Sequence, residues 1–243
     1  MSIRIFVNGA KGRMGQEAVK AIKAATDLSL VGQAGRHDDL AQLIHSTRAQ
    51  IVVDFTDAES VFDNSKTIIA AGAHPVIGTS GLLAVQIEQL QALCHARRLG
   101  GIIAPNFSIG AVLMMRFAAQ AARYFANAEI VEIHHPGKLD APSGTAIKTA
   151  DMMAKARSEP PLQRAEKELL LGARGANLAE VHIHSLRLPG TLAEQEVLLG
   201  GVGETLSIRH HTLSRETFMT GVLLACRKVL ELDTLVYGLE NLL

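Results

Sequence analysis

Ile3-Arg-Ile-Phe-Val-Asn-Gly-Ala-Lys-Gly-Arg-Met-Gly15 is an apolar strand run followed at once by glycines. Beyond it, Met14, Ala18, Ala21, Ile22 and Ala25 recur at helical spacing. Strand, glycine turn and helix together open a dinucleotide-binding unit. The glycines let the backbone approach a pyrophosphate, which rests on the positive N-terminus of the helix. Against G-x-G-x-x-G the first pattern position is Ala10, and the glycine has moved back to Gly9. The spacing alone is therefore loose, and the flanking strand and helix carry the reading. A plain tight turn is the alternative use of the same glycines.

Working outward, Leu28 to Val31 forms a second strand. An NAD enzyme keeps an acidic residue some 20 positions past the glycines to hold the ribose hydroxyls, as a rough rule. That place holds Arg36 and His37, with Asp38 and Asp39 just beyond. An arginine suits a 2′-phosphate, so the position favours NADPH over NADH. A solvent-exposed loop arginine is the plain alternative.

Ile51 to Phe55 is a third strand, with a helix from about Glu59 to Ala71. Pro75 to Ile77 is a fourth, ending in Gly78-Thr-Ser-Gly81. The next helix carries Leu83, Ile87, Leu90 and Cys94 as its core stripe, and Gly101 to Ala104 is a fifth strand. Strands alternating with helices predict a doubly wound parallel sheet, with ligands beyond the strands' carboxyl ends. Asp54-Phe-Thr56, Gly78-Thr79-Ser80 and Ala104-Pro105-Asn106-Phe107 fall at those ends and are placed to line ribose and nicotinamide. As ordinary strand-to-helix turns they would use the same residue types.

From Ser108 a helix runs to about Ala126. Residues 156–177 are rich in charge, Gly and Pro and read as a long excursion. Strand-like runs follow at Glu180–Leu188, Glu196–Leu199 and Thr205–Arg209, then a helix from about Arg215 to Leu232 with Phe218, Val222, Ala225, Val229 and Leu232 on one face. The change from alternating to consecutive strands marks a second, α+β domain with a mixed or antiparallel sheet. The division is 1–104 with 216–243 for the dinucleotide-binding domain, and 105–215 for substrate binding and oligomerisation.

The chemistry concentrates in Glu132-Ile-His-His-Pro-Gly-Lys-Leu-Asp-Ala-Pro-Ser-Gly-Thr145. His134 and His135 end a short strand, Pro136-Gly137 turns the chain, and Ser143 starts a helix from Thr145 to Lys155, with Ile147, Ala150 and Ala154 toward a core. A helix opening Ser143-Gly144-Thr145 offers backbone N–H groups and two hydroxyls to an anion, and Lys138 adds a positive charge. Taken singly these are a helix cap and solvated loop histidines. Together on one loop they predict a site that holds a small anion and moves a proton near it.

Composition removes other classes. Lys+Arg and Asp+Glu both total 24, so no basic field advertises nucleic acid or membrane. Aromatics at 4% and the lack of Trp argue against base stacking. Hydrophobic content of 48% over 243 residues builds an ample core, but no run reaches membrane-spanning length. The start of the chain reads as a strand rather than a signal peptide. Cys94 and Cys226 lie on apolar helical stripes, as core thiols of a reducing cytoplasm. His182 and His184 share a strand face, and His210 and His211 adjoin. Without a Cys pair or H-E-x-x-H this predicts no metal, and the strand histidines are expected to face solvent, a partner subunit or substrate.

With these residues assembled, the chain resembles the 4-hydroxy-tetrahydrodipicolinate (dihydrodipicolinate) reductases of bacterial lysine and diaminopimelate synthesis. The likeness rests on Gly9 to Gly15, Val53-Asp-Phe-Thr56, Gly78-Thr-Ser-Gly81, Pro105-Asn-Phe-Ser-Ile-Gly110, Arg187-Leu-Pro-Gly190, Ser207-Ile-Arg-His210 through Ser214-Arg215 and, above all, Glu132-Ile-His-His with Lys138-Leu-Asp-Ala-Pro-Ser-Gly-Thr-Ala146. It covers nearly the whole chain. The resemblance implies a Rossmann domain that the C-terminal helix rejoins, a substrate domain whose sheet builds a homotetramer, and use of NADPH or NADH. It also implies that Gly9, Ala10, Lys11, Gly12, Arg13 and Met14 hold the pyrophosphate, and that Gly78 to Ser80 and Ala104 to Phe107 frame the nicotinamide. His134 becomes the proton donor and acceptor and Lys138 a proton donor. His135, Gly144 and Thr145 then bind the carboxylates of a dicarboxylate substrate, with the Ser143 turn beside them.

Two departures stand out. Arg36 replaces the acidic residue many members carry, in keeping with NADPH. Relatives often read Ala-His-Gln-Glu where this chain has Ala193-Glu-Gln-Glu196, so Glu194 must act differently. Two rival readings of the whole chain are a non-catalytic dinucleotide-sensing regulator and a semialdehyde-type dehydrogenase, which needs a nucleophilic cysteine.

Overall fold

The computed structural model describes residues 2–161 and 167–243. In chain order the elements are β1 (Ile3–Asn8), α1 (Arg13–Ala24), β2 (Leu28–Ala34), α2 (Leu40–Thr47), β3 (Ile51–Asp54), α3 (Val61–Ala70), β4 (His74–Ile77), α4 (Ala84–Arg97), β5 (Gly101–Ile103), α5 (Ile109–Ala121), β6 (Asn127–His134), α6 (Gly144–Ala156), β7 (Ala176–Leu178), β8 (Val181–Arg187), β9 (Ala193–Gly201), β10 (Glu204–Thr212), α7 (Thr217–Lys228) and β11 (Leu235–Tyr237). They divide into two compact units, 1–109 with 215–243, and 110–214.

The first unit holds a parallel six-stranded sheet in the order β11-β5-β4-β3-β1-β2, a Rossmann-like doubly wound fold. Its strands read as apolar runs because both faces are covered. Phe6, Val52, Ile77, Ile103 and Leu235 on one face pack with Ile44, Ile68, Ile69, Leu90 and Cys94 of the helices α2, α3 and α4. β1 lies between β2 and β3, so the chain winds away from it in both directions. The carboxyl ends of β1 and β3 are therefore the switch point at which such sheets bind ligands.

Pro105 to Ile109 belong to this first unit, not to the second as the predicted division had it. Phe107 explains why. It is buried, its ring meets Phe55 edge-on at 6.1 Å, and its carbonyl lies 2.0 Å from where a Cβ at Gly221 of α7 would stand. Arg215 likewise joins the first unit. β11, a sixth strand of three residues beside β5, follows α7 and completes the sheet edge.

The second unit is a mixed five-stranded sheet, β10-β9-β6-β8-β7, in which only β6 and β8 run parallel. Ala128, Ile130, Val181, Ile183, Val197 and Leu199 cover one face and pack with Ala118, Ala122, Ala146, Ala150 and Met153. The predicted excursion at 156–177 contains the start of β7; within it, 162–166 lie outside the described residues. α5 ends at Ala121, five residues before the predicted Ala126. Two stripes also shift. Leu83 stands before the first turn of α4 and is 63% exposed. Ile147 on α6 is 44% exposed, because Ala146, Thr149, Ala150 and Met153 form the inward face instead.

Candidate active site

In the first unit, Gly9 takes φ +74°, and a Cβ there would stand 2.3 Å from the Phe55 carbonyl oxygen. A Cβ at Gly15 would stand 2.2 Å from the Gly9 carbonyl oxygen, so only glycine lets α1 approach the β1 turn this closely. Gly12 precedes α1 with no side-chain cap, leaving the first amides of the helix to an external acceptor. A groove of about 1010 Å³ opens here, lined by Asn8, Gly9, Lys11, Gly12, Arg36, Thr56 and Asn64 among others. This uncapped, Cβ-free cradle fits a pyrophosphate.

The groove brings together four of the predicted cofactor residues, Gly9, Lys11, Gly12 and Arg36. Ala10 is instead buried, its N–H donating to the Ala34 carbonyl, and Arg13 and Met14 begin α1. Gly78, Thr79 and Ser80 follow β4 outside the groove lining, and Gly78 abuts the Phe55 ring. Ala104 donates to Ile77 O, and Asn106 Oδ1 accepts from Ser108 N, so this segment is a braced turn after β5. Arg36 pairs with Asp57 at 3.3 Å, both exposed. The two acids after Arg36 serve the backbone: Asp38 accepts from Gly35 N, and Asp39 caps α2.

In the second unit the polar end of β6 forms the densest network. Glu132 and His134 are two residues apart on a strand and so share a face. Glu132 is fully buried. Its Oε2 accepts from His134 Nδ1 at 2.5 Å, and Arg187 donates to both of its oxygens at 3.1 and 3.0 Å. Ser143 N donates to Oε1 at 3.3 Å. Burial pushes the Glu132 carboxyl up, but hydrogen bonds from His134, Arg187 and Ser185 outweigh it and hold the group down at about 2. An ionised carboxylate only accepts, so His134 Nδ1 carries a hydrogen and Nε2 is the atom left for chemistry.

Arg187 also donates to the carbonyls of Asp140 at 2.7 Å and Lys138 at 3.3 Å, stapling the loop to the strand. Lys138 Nζ reaches both Asp140 oxygens at 2.8 Å, and this contact, ahead of the other influences, lowers the Asp140 pKa. Ser143 is buried and spent on capping α6 through Ala146 N. Gly144 faces open space and Thr145 is half-buried, which leaves these two as the open part of the turn. His135 sits beyond the strand end, half-buried, with its carbonyl accepting from Lys138 N.

Sequence reasoning missed Glu132 and Arg187 as site residues. Period-2 alternation on β6 was the available signal for Glu132. Arg187 needed the parallel register of β6 with β8, which sets His134 beside Arg187. That register sends His182 and His184 to the other face, where His184 pairs with Glu129 at 2.7 Å and His182 meets the Arg174 carbonyl at 2.8 Å. Glu194 is held by Arg209, His211 and Thr191, with Arg209 first among the causes that lower its pKa. Among the described residues no group of three or more His, Cys, Asp or Glu side chains is set to hold a metal. No helix among them is long and apolar enough to cross a membrane. Burial pushes the thiols of Cys94 and Cys226 up to about 12, which disqualifies both as nucleophiles.

A glycine cradle at a sheet switch point, and a carboxylate-held histidine at a strand end followed by a lysine-bearing loop, mark an NAD(P)H-dependent oxidoreductase. The family models for dihydrodipicolinate reductase match residues 3–107 (N-terminus) and 110–243 (C-terminus), and the chain belongs to that family. It is 56% identical over 243 residues to a 4-hydroxy-tetrahydrodipicolinate reductase of Legionella pneumophila (strain Lens), covering all of both chains. It is 51% identical over 247 residues to the enzyme of that name from Coxiella burnetii (strain Dugway 5J108-111), again covering all of both. The structure of dipicolinate-bound dihydrodipicolinate reductase from Paenisporosarcina sp. TG-14 superposes with a TM-score of 0.91 at 41% identity, covering both chains fully.

Proposed function

We propose that this protein reduces 4-hydroxy-tetrahydrodipicolinate, by way of dihydrodipicolinate, to tetrahydrodipicolinate in diaminopimelate and lysine biosynthesis, and prefers NADPH. The observation that carries the reading is the His134 imidazole held by buried Glu132 at the end of β6, which leads into the loop of Lys138. A dinucleotide sensor has no use for that constellation. The relative described as dipicolinate-bound supports a planar dicarboxylate as ligand.

When bound, the dinucleotide supplies a hydride to the electron-poor ring carbon. Gly9, Lys11 and Gly12 would hold its pyrophosphate, and Arg36, with Lys11 lining the same groove, would take the 2′-phosphate. The segments Gly78–Ser80 and Ala104–Phe107 would frame the nicotinamide. The neighbouring ring carbon then needs a proton. His134 delivers it from Nε2 while Glu132 holds Nδ1–H and so fixes tautomer and orientation. Lys138, turning from Asp140 to a substrate carboxylate, supplies charge and a second proton source, and His135, Gly144 and Thr145 complete the seat. Asp140 thus takes the Lys138 contact that a substrate carboxylate would use.

The protein would work in the cytoplasm as a homotetramer. The sheet face opposite α5 and α6, with Val131, Ile133 and Leu198 incompletely buried, would be the subunit contact.

The test follows loss of reduced-nicotinamide absorbance, with substrate made in place by the preceding synthase from pyruvate and aspartate semialdehyde. Oxidation that depends on the synthase is the expected outcome, with kcat/KM higher for NADPH and that preference lost in Arg36→Ala. Cofactor binding without oxidation, beside an active synthase, would contradict the reading.

A further inference from the structure

Asp54 ends β3 and its side chain is fully buried. Its Oδ2 accepts from Asn8 Nδ2 at 2.8 Å. Its Oδ1 accepts from Thr56 N at 3.1 Å, Thr56 Oγ1 at 2.7 Å and Thr79 Oγ1 at 2.8 Å. All four donors are neutral. Thr56 Oγ1 already accepts from Asn64 Nδ2 at 3.2 Å, and Thr79 Oγ1 from Thr56 N at 2.8 Å. Each hydroxyl thus bridges a second donor and the Asp54 carboxyl group. Burying a charge is costly unless its hydrogen bonds are made, and here they are made by three separate chain segments.

Those segments are the ends of β1, β3 and β4, which meet at the switch point. Asn8 passes the restraint on, since its Oδ1 accepts from Gly9 N at 3.2 Å. Gly9 is the left-handed residue of the cradle. Asn8, Gly9, Thr56 and Asn64 all line the groove. We propose that Asp54 is the positioning residue of the dinucleotide site, fixing the Gly9 amide, Thr56 and the turn at Thr79 in the geometry that receives the cofactor. The proposal rests on the groove being that site.

The test is steady-state kinetics of Asp54→Asn, which keeps the side-chain shape but puts hydrogens where only acceptors fit. The KM for NADPH is expected to rise on the order of tenfold or more, with kcat and the KM of the reducible substrate within about threefold. Asp54→Ser, which shortens the side chain and removes the charge, should show the same split. It decides by the same criterion if Asp54→Asn does not fold. An NADPH KM unchanged in both, or both KM values rising together, would overturn the proposal. The double variant Lys11→Ala/Arg36→Ala tests the groove itself. If it binds NADPH as the parent does, the groove reading falls; if it alone raises the NADPH KM, only the positioning role falls.

Discussion

Asp54 and Glu132 are both fully buried carboxylates at the carboxyl ends of strands, and each ties loops to a sheet. Their partners differ in kind. Asp54 is met by an amide side chain, a backbone N–H and two hydroxyls. Glu132 is met by a guanidinium, an imidazole, the Ser185 side chain and a backbone N–H. Neutral donors hold one geometry at any working pH, which suits a seat for a dinucleotide. The imidazole couples the second carboxylate to a group that exchanges protons, and hydrogen bonds from His134, Arg187 and Ser185 keep that carboxylate ionised. Under the proposed function, the first unit positions the cofactor, and the second positions the substrate and moves a proton.

The largest effect that sharpens this contrast lies at the imidazole. Positioned acid catalysis contributes roughly 10²–10⁴-fold. His134→Ala should lower kcat by about that factor with the NADPH dissociation constant unchanged, as read by titration of the cofactor's fluorescence. Preserved turnover with weakened cofactor binding would place the proton elsewhere.

A smaller effect concerns acid stability. The Glu132 carboxyl lies at about 2 in the fold against an ordinary 4.5. Because the folded value is the lower one, its contribution is complete above the ordinary value and is lost as pH falls from there toward about 2. The size is of order 3 kcal/mol. Denaturant unfolding between about pH 6 and pH 3 should show this slope in the parent and a shallower one in Glu132→Gln. Identical slopes would mean that the Arg187 and His134 contacts do not hold the charge.

Much of the positioning half was legible in the sequence because its signals are local. The glycines after β1 and the alternation of apolar strand and helical stripe each lie within one window of chain. β11 was not legible: three residues, Leu235–Tyr237, carry no period, and only pairing with β5 makes them a strand. In the second half His134, the last residue of β6, and Lys138 of the following loop stand close in sequence and could be read together. Glu132 stood in the same stretch, but its role depends on Arg187, 55 residues away across a parallel pair. Asp54 was visible only as the end of a strand, since its partners Asn8 and Thr79 come from other segments. Contacts made across the sheet leave no spacing for a sequence to display.

The most direct measurement compares Glu132→Gln and Asp54→Asn in one set of assays, with kcat and the NADPH KM determined for each. The account predicts that Glu132→Gln lowers kcat roughly a hundredfold or more with the NADPH KM unchanged, because the imidazole loses the acceptor that fixes its tautomer. Asp54→Asn should do the reverse. If both substitutions move the same parameter, the division between a positioning carboxylate and a proton-directing one is contradicted.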